Sequence, residues 1–178
     1  VWDGSATDSG TGTYGEGVIV GILDSGINSD HDSFADVADD GYDHQNPYGA
    51  GNYIGDCAGA APTITCNDKL IGVRSYPSIT DVYADETVFP PGLPRNGEDY
   101  DGHGTHVAAT AAGNVLRDVP LYNPDTGAVE SDGIPTDLTF DEISGVAPRA
   151  NVIAYQVCLP GNQGDTYSGC VGSAILAC

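Results

Sequence analysis
An α/β fold, a parallel sheet flanked by helices, is predicted by three observations. Residues 17–24 (Gly-Val-Ile-Val-Gly-Ile-Leu-Asp) and 151–157 (Asn-Val-Ile-Ala-Tyr-Gln-Val) are short, nearly continuous apolar runs, the pattern of strands covered on both faces of a parallel sheet. Between them, residues 102–114 carry alanines at 108, 109, 111 and 112 and no proline, the composition of a tightly packed helix. Strand and helix therefore alternate, as in sheets built with crossover helices.

The elements follow in chain order. Gly10-x-Gly12-x-x-Gly15 has the dinucleotide-binding spacing, but it precedes the first strand, whereas a phosphate cradle follows a strand and opens a helix; it reads as a turn. The first strand ends at Asp24. Residues 34–68 and 76–101 are rich in Asp, Gly, Pro and Tyr and read as connections, with a short strand at 69–76 between them. Residues 118–142 hold Pro120, Pro124, Gly127, Gly133 and Pro135 and read as an extended surface insertion. Residues 168–178, with Val171, Ala174, Ile175 and Cys178 at helical spacing, read as a second helix still running at the last residue. There is no internal repeat and no low-complexity linker, and 178 residues, 40% of them hydrophobic, make one core.

Composition excludes several functions. Five Lys+Arg stand against 26 Asp+Glu, a net charge of −21, which repels nucleic-acid phosphates and anionic membrane surfaces. No run approaches the roughly 18 uninterrupted apolar residues of a membrane span, so the chain reads as soluble. The acidic groups Asp36, Asp39, Asp40, Asp43 and Glu98, Asp99, Asp101 read as solvated loops; neither has the spacing of an EF-hand, so structural calcium is possible but not assignable. The chain holds no methionine, so the expectation is a start after a processing event, with any secretory signal upstream.

Five cysteines lie at 57, 66, 158, 170 and 178. Cys57 and Cys66 bracket one loop of small residues, and Cys158 and Cys170 another. Two readings stand: local staples in an oxidising exterior, each contributing roughly 2.5–3 kcal/mol by restricting the unfolded chain, or reduced thiols with one or two in the core. Cys178 is left over, either as a buried thiol or with a partner elsewhere.

The chemistry concentrates in two segments, Asp24-Ser25-Gly26-Ile27 and Asp101-Gly102-His103-Gly104-Thr105-His106-Val107-Ala108. Sites of open α/β sheets lie beyond the carboxyl ends of the strands, where Asp24 emerges and where a helix opening at His103 points. Asp24 there holds the imidazole Nδ1–H, while the positive helix end favours the neutral ring, so the two influences oppose each other. Gly102 and Gly104 leave the histidine uncrowded for a close substrate backbone. His106 points partly into the packed side of the helix, in a structural role. His103, His106 and Asp24 also permit a metal-hydrolase reading, but the i, i+3 pair lacks the glutamate and the spacing of zinc proteases.

Val-Gly-Ile-Leu-Asp24-Ser-Gly-Ile and Asp-Gly-His103-Gly-Thr-His-Val-Ala-Ala-Thr resemble the aspartate and histidine motifs of the subtilisin-like serine proteases, the subtilases. Gly145-Val146-Ala147-Pro148-Arg149-Ala150-Asn151 is similar to that family's turn into the next strand. The segments from Cys57 through Cys66-Asn67-Asp68-Lys69-Leu70-Ile71-Gly72, and Tyr155-Gln156-Val157-Cys158 with Gly169-Cys170, resemble the cucumisin-like branch, whose members commonly carry a protease-associated domain further along. The resemblance implies a subtilisin-like fold, incomplete here, with residues 1–178 the N-terminal portion of a single peptidase domain. It makes Asp24 and His103 the catalytic acid and base, and Cys57–Cys66 and Cys158–Cys170 loop disulfides. It requires no cofactor for the chemistry. Position 33, nine residues after Asp24, is Ser where some subtilisins have a calcium-ligating Asp, so no calcium site carries over.

The family's nucleophile motif, Gly-Thr-Ser, does not occur in the chain. The expectation is the N-terminal part of a secreted, extracellular endopeptidase, truncated or nicked, acting on protein or peptide substrates and completed by the segment that bears the serine. The alternative is a catalytically inactive binding module that keeps the scaffold for a protein partner.

Overall fold
Four strands form one parallel sheet in the computed structural model, which describes residues 2–58, 62–82, 95–123, 134–159 and 169–178. They are β1 (Ile19–Asp24), β2 (Ile54–Gly55), β3 (Leu70–Arg74) and β6 (Asn151–Gln156), in the order β1-β6-β3-β2. β1 and β6 stay in register from Ile19 opposite Asn151 to Asp24 opposite Gln156. The two apolar runs are thus β1 and β6, and the short strand expected at 69–76 is β3. β3 and β6 are interior strands, with Leu70, Ile71, Val73, Val152 and Ala154 buried. β1 departs from the expectation of cover on both faces: among the described residues it pairs only with β6, Leu23 is 45% exposed, and Ile22 alone of the strand is buried.

Helix α1 (Pro77–Thr80) is a single turn opened by a proline, whose missing N–H costs nothing at a helix start. Helix α2 (His103–Ala112) packs on β1 through Gly104, Ala108 and Ala112, one stripe of small buried residues at i, i+4, i+8. Phe34, Ile27, Leu70, Val73 and Val152 complete this core with Ala108 and Ala112; each large side chain buried there contributes roughly 2–3 kcal/mol.

The predicted surface insertion at 118–142 is instead an antiparallel hairpin, β4 (Leu116–Asn123) and β5 (Ile134–Ile143); its tip, 124–133, lies outside the described residues. Pro120 and Pro135 mislead because proline argues against interior strands only. In a two-stranded ribbon each strand is an edge, and a missing N–H can face solvent. The helix expected over 168–178 is also shorter. Residue 168 lies outside the described residues, Gly169–Cys170 forms β8 against β7 (Cys158–Leu159), and α3 spans Gly172–Ala177. Disulfides join Cys57 to Cys66 and Cys158 to Cys170, and the second holds residues 169–170 extended. Cys178 is an exposed free thiol rather than a buried one, accepting a hydrogen bond from Tyr76 Oη at 3.3 Å. Turns flank the glycine triplet at 10–15, closed by the Gly10 N–H to Thr7 carbonyl and Val18 N–H to Gly15 carbonyl bonds.

Lys69 and His44 are among the polar side chains that sit fully inside. Lys69 Nζ donates to the carbonyls of Pro148 (2.8 Å) and Ala150 (2.6 Å), tying β3 to the turn that enters β6. His44 bonds through Nε2 to Asn114 Oδ1 at 2.8 Å. Burial first, then the Lys69 charge, push His44 down to about 4, against the opposite pull of Asn114, Asp40 and Asp43. The unfolded chain therefore takes up this proton at higher pH than the folded chain. Stability is expected to fall by about 3 kcal/mol from this residue as pH drops from about 6.5 to about 4. Urea unfolding across that range should show the slope, and His44→Gln should flatten it; an unchanged slope in the variant refutes the assignment.

Candidate active site
Asp24 is the last residue of β1 and His103 the first of α2. Small residues let α2 seat its first turn on the end of β1: a Cβ at Gly104 would lie 2.3 Å from the Gly26 carbonyl oxygen and 3.2 Å from Asp24 Cβ. That close approach brings His103 Nδ1 to 2.7 Å from Asp24 Oδ1. The second histidine nitrogen, Nε2, makes no hydrogen bond within the described residues. The His103 side chain is 65% exposed and that of Asp24 15%, so the carboxylate is shielded while the imidazole presents itself outward.

The hydrogen bond and charge of Asp24, aided by Asp101 and Asp99, raise the imidazole above its ordinary value and outweigh the opposing desolvation. Asp24 Oδ1 also accepts the Ser25 N–H at 2.7 Å, which fixes the carboxylate against its own backbone. The arrangement can hold one imidazole tautomer, with the proton on Nδ1 and the lone pair on Nε2, and stabilise the cation formed when Nε2 takes a proton.

A profile of the Subtilase family matches residues 15–175. The chain belongs to the subtilases. It is 34% identical over 167 residues to Subtilisin-like protease SBT1.4 of Arabidopsis thaliana, covering 92% of this chain and 18% of that protein. Against Subtilisin-like protease SBT4.13 of the same plant the identity is 32% over 159 residues, covering 89% and 16%; against SBT5.4 it is 32% over 171 residues, covering 92% and 17%. The match agrees with the cucumisin-like resemblance and with an incomplete subtilisin-like α/β fold. This subtilase chain spans less than a fifth of the length of these curated relatives.

Two readings of the subtilase motifs, at Gly104 and His106, change in the structure, while Gly102 stands in open space as expected. Gly104 is buried, and its close approach is to β1 rather than to a substrate. Gly102 adopts φ 89° as the residue before α2, a left-handed conformation that glycine takes without strain. His106 is exposed rather than turned into the packed side: two positions beyond Gly104, it lies about 200° around the helix from the buried stripe. It lines a cavity between α2 and the β4–β5 hairpin with His31, Ala109, Leu116 and Val146.

Other residues of the site lie in or beside the motifs without a role read from them. Ser25, 2% exposed, accepts the Gly104 N–H at 2.8 Å through Oγ and donates from it to Asp99 Oδ1 at 2.9 Å. Gln156, fully buried opposite Asp24, donates from Nε2 to the Ser25 and Glu98 carbonyls at 3.2 and 2.8 Å. Its sequence signals are a glutamine closing an otherwise apolar strand and its place in the Tyr155-Gln156-Val157-Cys158 segment. The acidic groups divide. Asp36, Asp39, Asp40 and Asp43 are exposed as expected, but Glu98 and Asp99 are half-buried. Burial pushes Asp99 up, yet bonds from Thr105, Gly102 and Ser25 outweigh it and hold its carboxyl below the usual range.

Proposed function
We propose that this chain supplies the acid and base of a subtilisin-like serine endopeptidase, with Asp24 orienting His103 and a serine from outside these 178 residues as nucleophile. The 2.7 Å bond between Asp24 Oδ1 and His103 Nδ1 carries the reading, supported by the family match. In the reaction, His103 Nε2 takes the serine hydroxyl proton as the oxygen attacks the peptide carbonyl carbon. The resulting imidazolium, paired with Asp24, then gives that proton to the departing amine, leaving an acyl-enzyme. Water repeats the sequence: Nε2 accepts its proton, the acid leaves, and the serine is restored. The substrate is a protein or peptide, and the domain takes in the whole chain as its N-terminal portion. No cofactor enters these steps.

Secretion is part of the same reading. Two disulfides fit an oxidising exterior, and among the described residues no helix is long and apolar enough to cross a membrane. The charge of −21 disfavours nucleic acid and anionic membranes as partners.

The test is to coexpress the chain with the downstream segment of its source protein and expose the assembly to a fluorophosphonate probe. Labelling of a serine supports the reading. An assembly that folds but never labels leaves the inactive binding module in its place. Because Nε2 must be unprotonated to act and Asp24 raises the imidazole, the labelling rate is expected to rise with pH through a midpoint above the ordinary histidine value of about 6.5. A midpoint below that value contradicts the coupling.

A further inference from the structure
We propose that Asp99 is a positioning residue for the Asp24–His103 couple, its carboxylate fastening the end of β1 to the start of α2. This rests on the proposed role of the couple. Helix α2 starts without a side-chain cap of its own, since Gly102 occupies that place. Its first N–H groups still need acceptors. Asp99 serves the Thr105 group from the preceding loop and also anchors the two residues that lead into the helix: Oδ2 accepts the N–H (2.8 Å) and Oγ1–H (2.6 Å) of Thr105, and Oδ1 accepts the N–H groups of Asp101 (3.1 Å) and Gly102 (2.9 Å). A fifth bond comes from the other element, Ser25 Oγ to Oδ1.

The consequence follows from where these anchors lie. Ser25 is adjacent to Asp24, and Gly102 and Gly104 flank His103. The backbone on each side of the 2.7 Å contact is therefore referred to one carboxylate, directly or through Ser25 Oγ, which also holds the Gly104 N–H. Charge-assisted bonds of this kind are about twice as strong as neutral ones, and a negative group is favoured at a helix start. Asn is a poor substitute despite its shape. An amide offers one acceptor oxygen, and its NH₂ would face two donors on Thr105.

The groups facing His103 are Asp24, Asp99 and Asp101, so Asp101 separates charge from position: it is exposed and makes no side-chain bond to α2 among those described. The experiment is ¹⁵N-imidazole NMR of the chain, reading the low-field Nδ1–H resonance of His103 and its titration midpoint. Asp99→Asn and Asp99→Ala are expected to lose the resonance and shift the midpoint toward the ordinary histidine value. Asp101→Asn is expected to keep the resonance. In the assembled protease, Asp99→Ala should slow probe labelling about 100-fold, the scale of a misplaced catalytic group. Should the Asp99 variants fail to fold by circular dichroism, Thr105→Val and Thr105→Ser carry the test. Val removes both bonds of that hydroxyl, its donation to Asp99 Oδ2 and its acceptance of the Asn28 N–H at 2.9 Å, and should weaken the resonance; Ser keeps the hydroxyl and should preserve it. Variants indistinguishable from the parent in resonance and midpoint overturn the positioning role while leaving the couple intact. A parent chain without the resonance overturns the couple, and the role of Asp99 with it.

Discussion

Replacing His103 with alanine is expected to slow acylation of the assembled protease by about 10⁶-fold, a scale taken from removal of the triad histidine in a subtilisin and not from this geometry. The serine hydroxyl is a weak nucleophile until a base takes its proton, and His103 Nε2 is the nitrogen left open by the bond to Asp24. Asp24→Asn should cost less, about 10⁴-fold. An amide at position 24 can still meet the imidazole, but it favours the wrong tautomer and leaves the imidazolium without a counter-charge. Probe-labelling rates on matched, folded preparations distinguish the two. Labelling that proceeds undiminished in His103→Ala refutes the base assignment outright, and a folded assembly inert in every version returns the chain to the binding-module reading.

Gly104→Ala should have a large effect for a residue that takes no part in the chemistry, and here two forces oppose each other. Alanine in place of glycine within a helix ordinarily stabilises by about 1 kcal/mol. At this position the new methyl would stand 2.3 Å from the Gly26 carbonyl oxygen and 3.0 Å from the Gly26 nitrogen. Both atoms are backbone, so relief comes only by moving α2 off β1. Overpacking of that sort costs roughly 1–3 kcal/mol, which exceeds the propensity gain. The displacement falls on His103, one residue away, and an ångström of separation from Asp24 should lower labelling by about 100-fold. Urea unfolding and labelling on the same variant provide the check. A variant more stable than its parent and equally fast would mean that helix and strand do not touch as described.

The positioning role of Asp99 complements both expectations. Gly104 permits the close approach of α2 and β1, and the Asp99 bonds hold it in one geometry. Neither residue is needed as a reactant, yet each acts on the same 2.7 Å contact.

Reading the chain in one dimension succeeded wherever a local pattern has a single physical cause. Continuous apolar runs located β1 and β6 because strands of a parallel sheet are apolar on alternate and intervening positions alike, although β1 pairs on one side alone among the described residues. Alanine spacing located α2, and two motifs singled out Asp24 and His103 as acid and base candidates. It failed where two environments share a composition. Proline and glycine at 118–142 suit a loop and a two-stranded ribbon equally, so the β4–β5 hairpin went unread. Asp99 and Asp43 are both acids in loops, yet one is half-buried against five donors and the other is exposed.

The sequence by itself determined the class of fold, the family and the pair of side chains able to orient and move a proton, because those are properties of residue type and near-neighbour spacing. Only the tertiary structure decided that residues 79 positions apart meet through Nδ1 and Oδ1, that Gly104 faces Gly26, that His106 turns outward, and that Asp99 joins strand to helix. These facts depend on which backbone ends pack together, and hydrogen bonds and steric limits act over a few ångströms of space, whatever the distance along the chain.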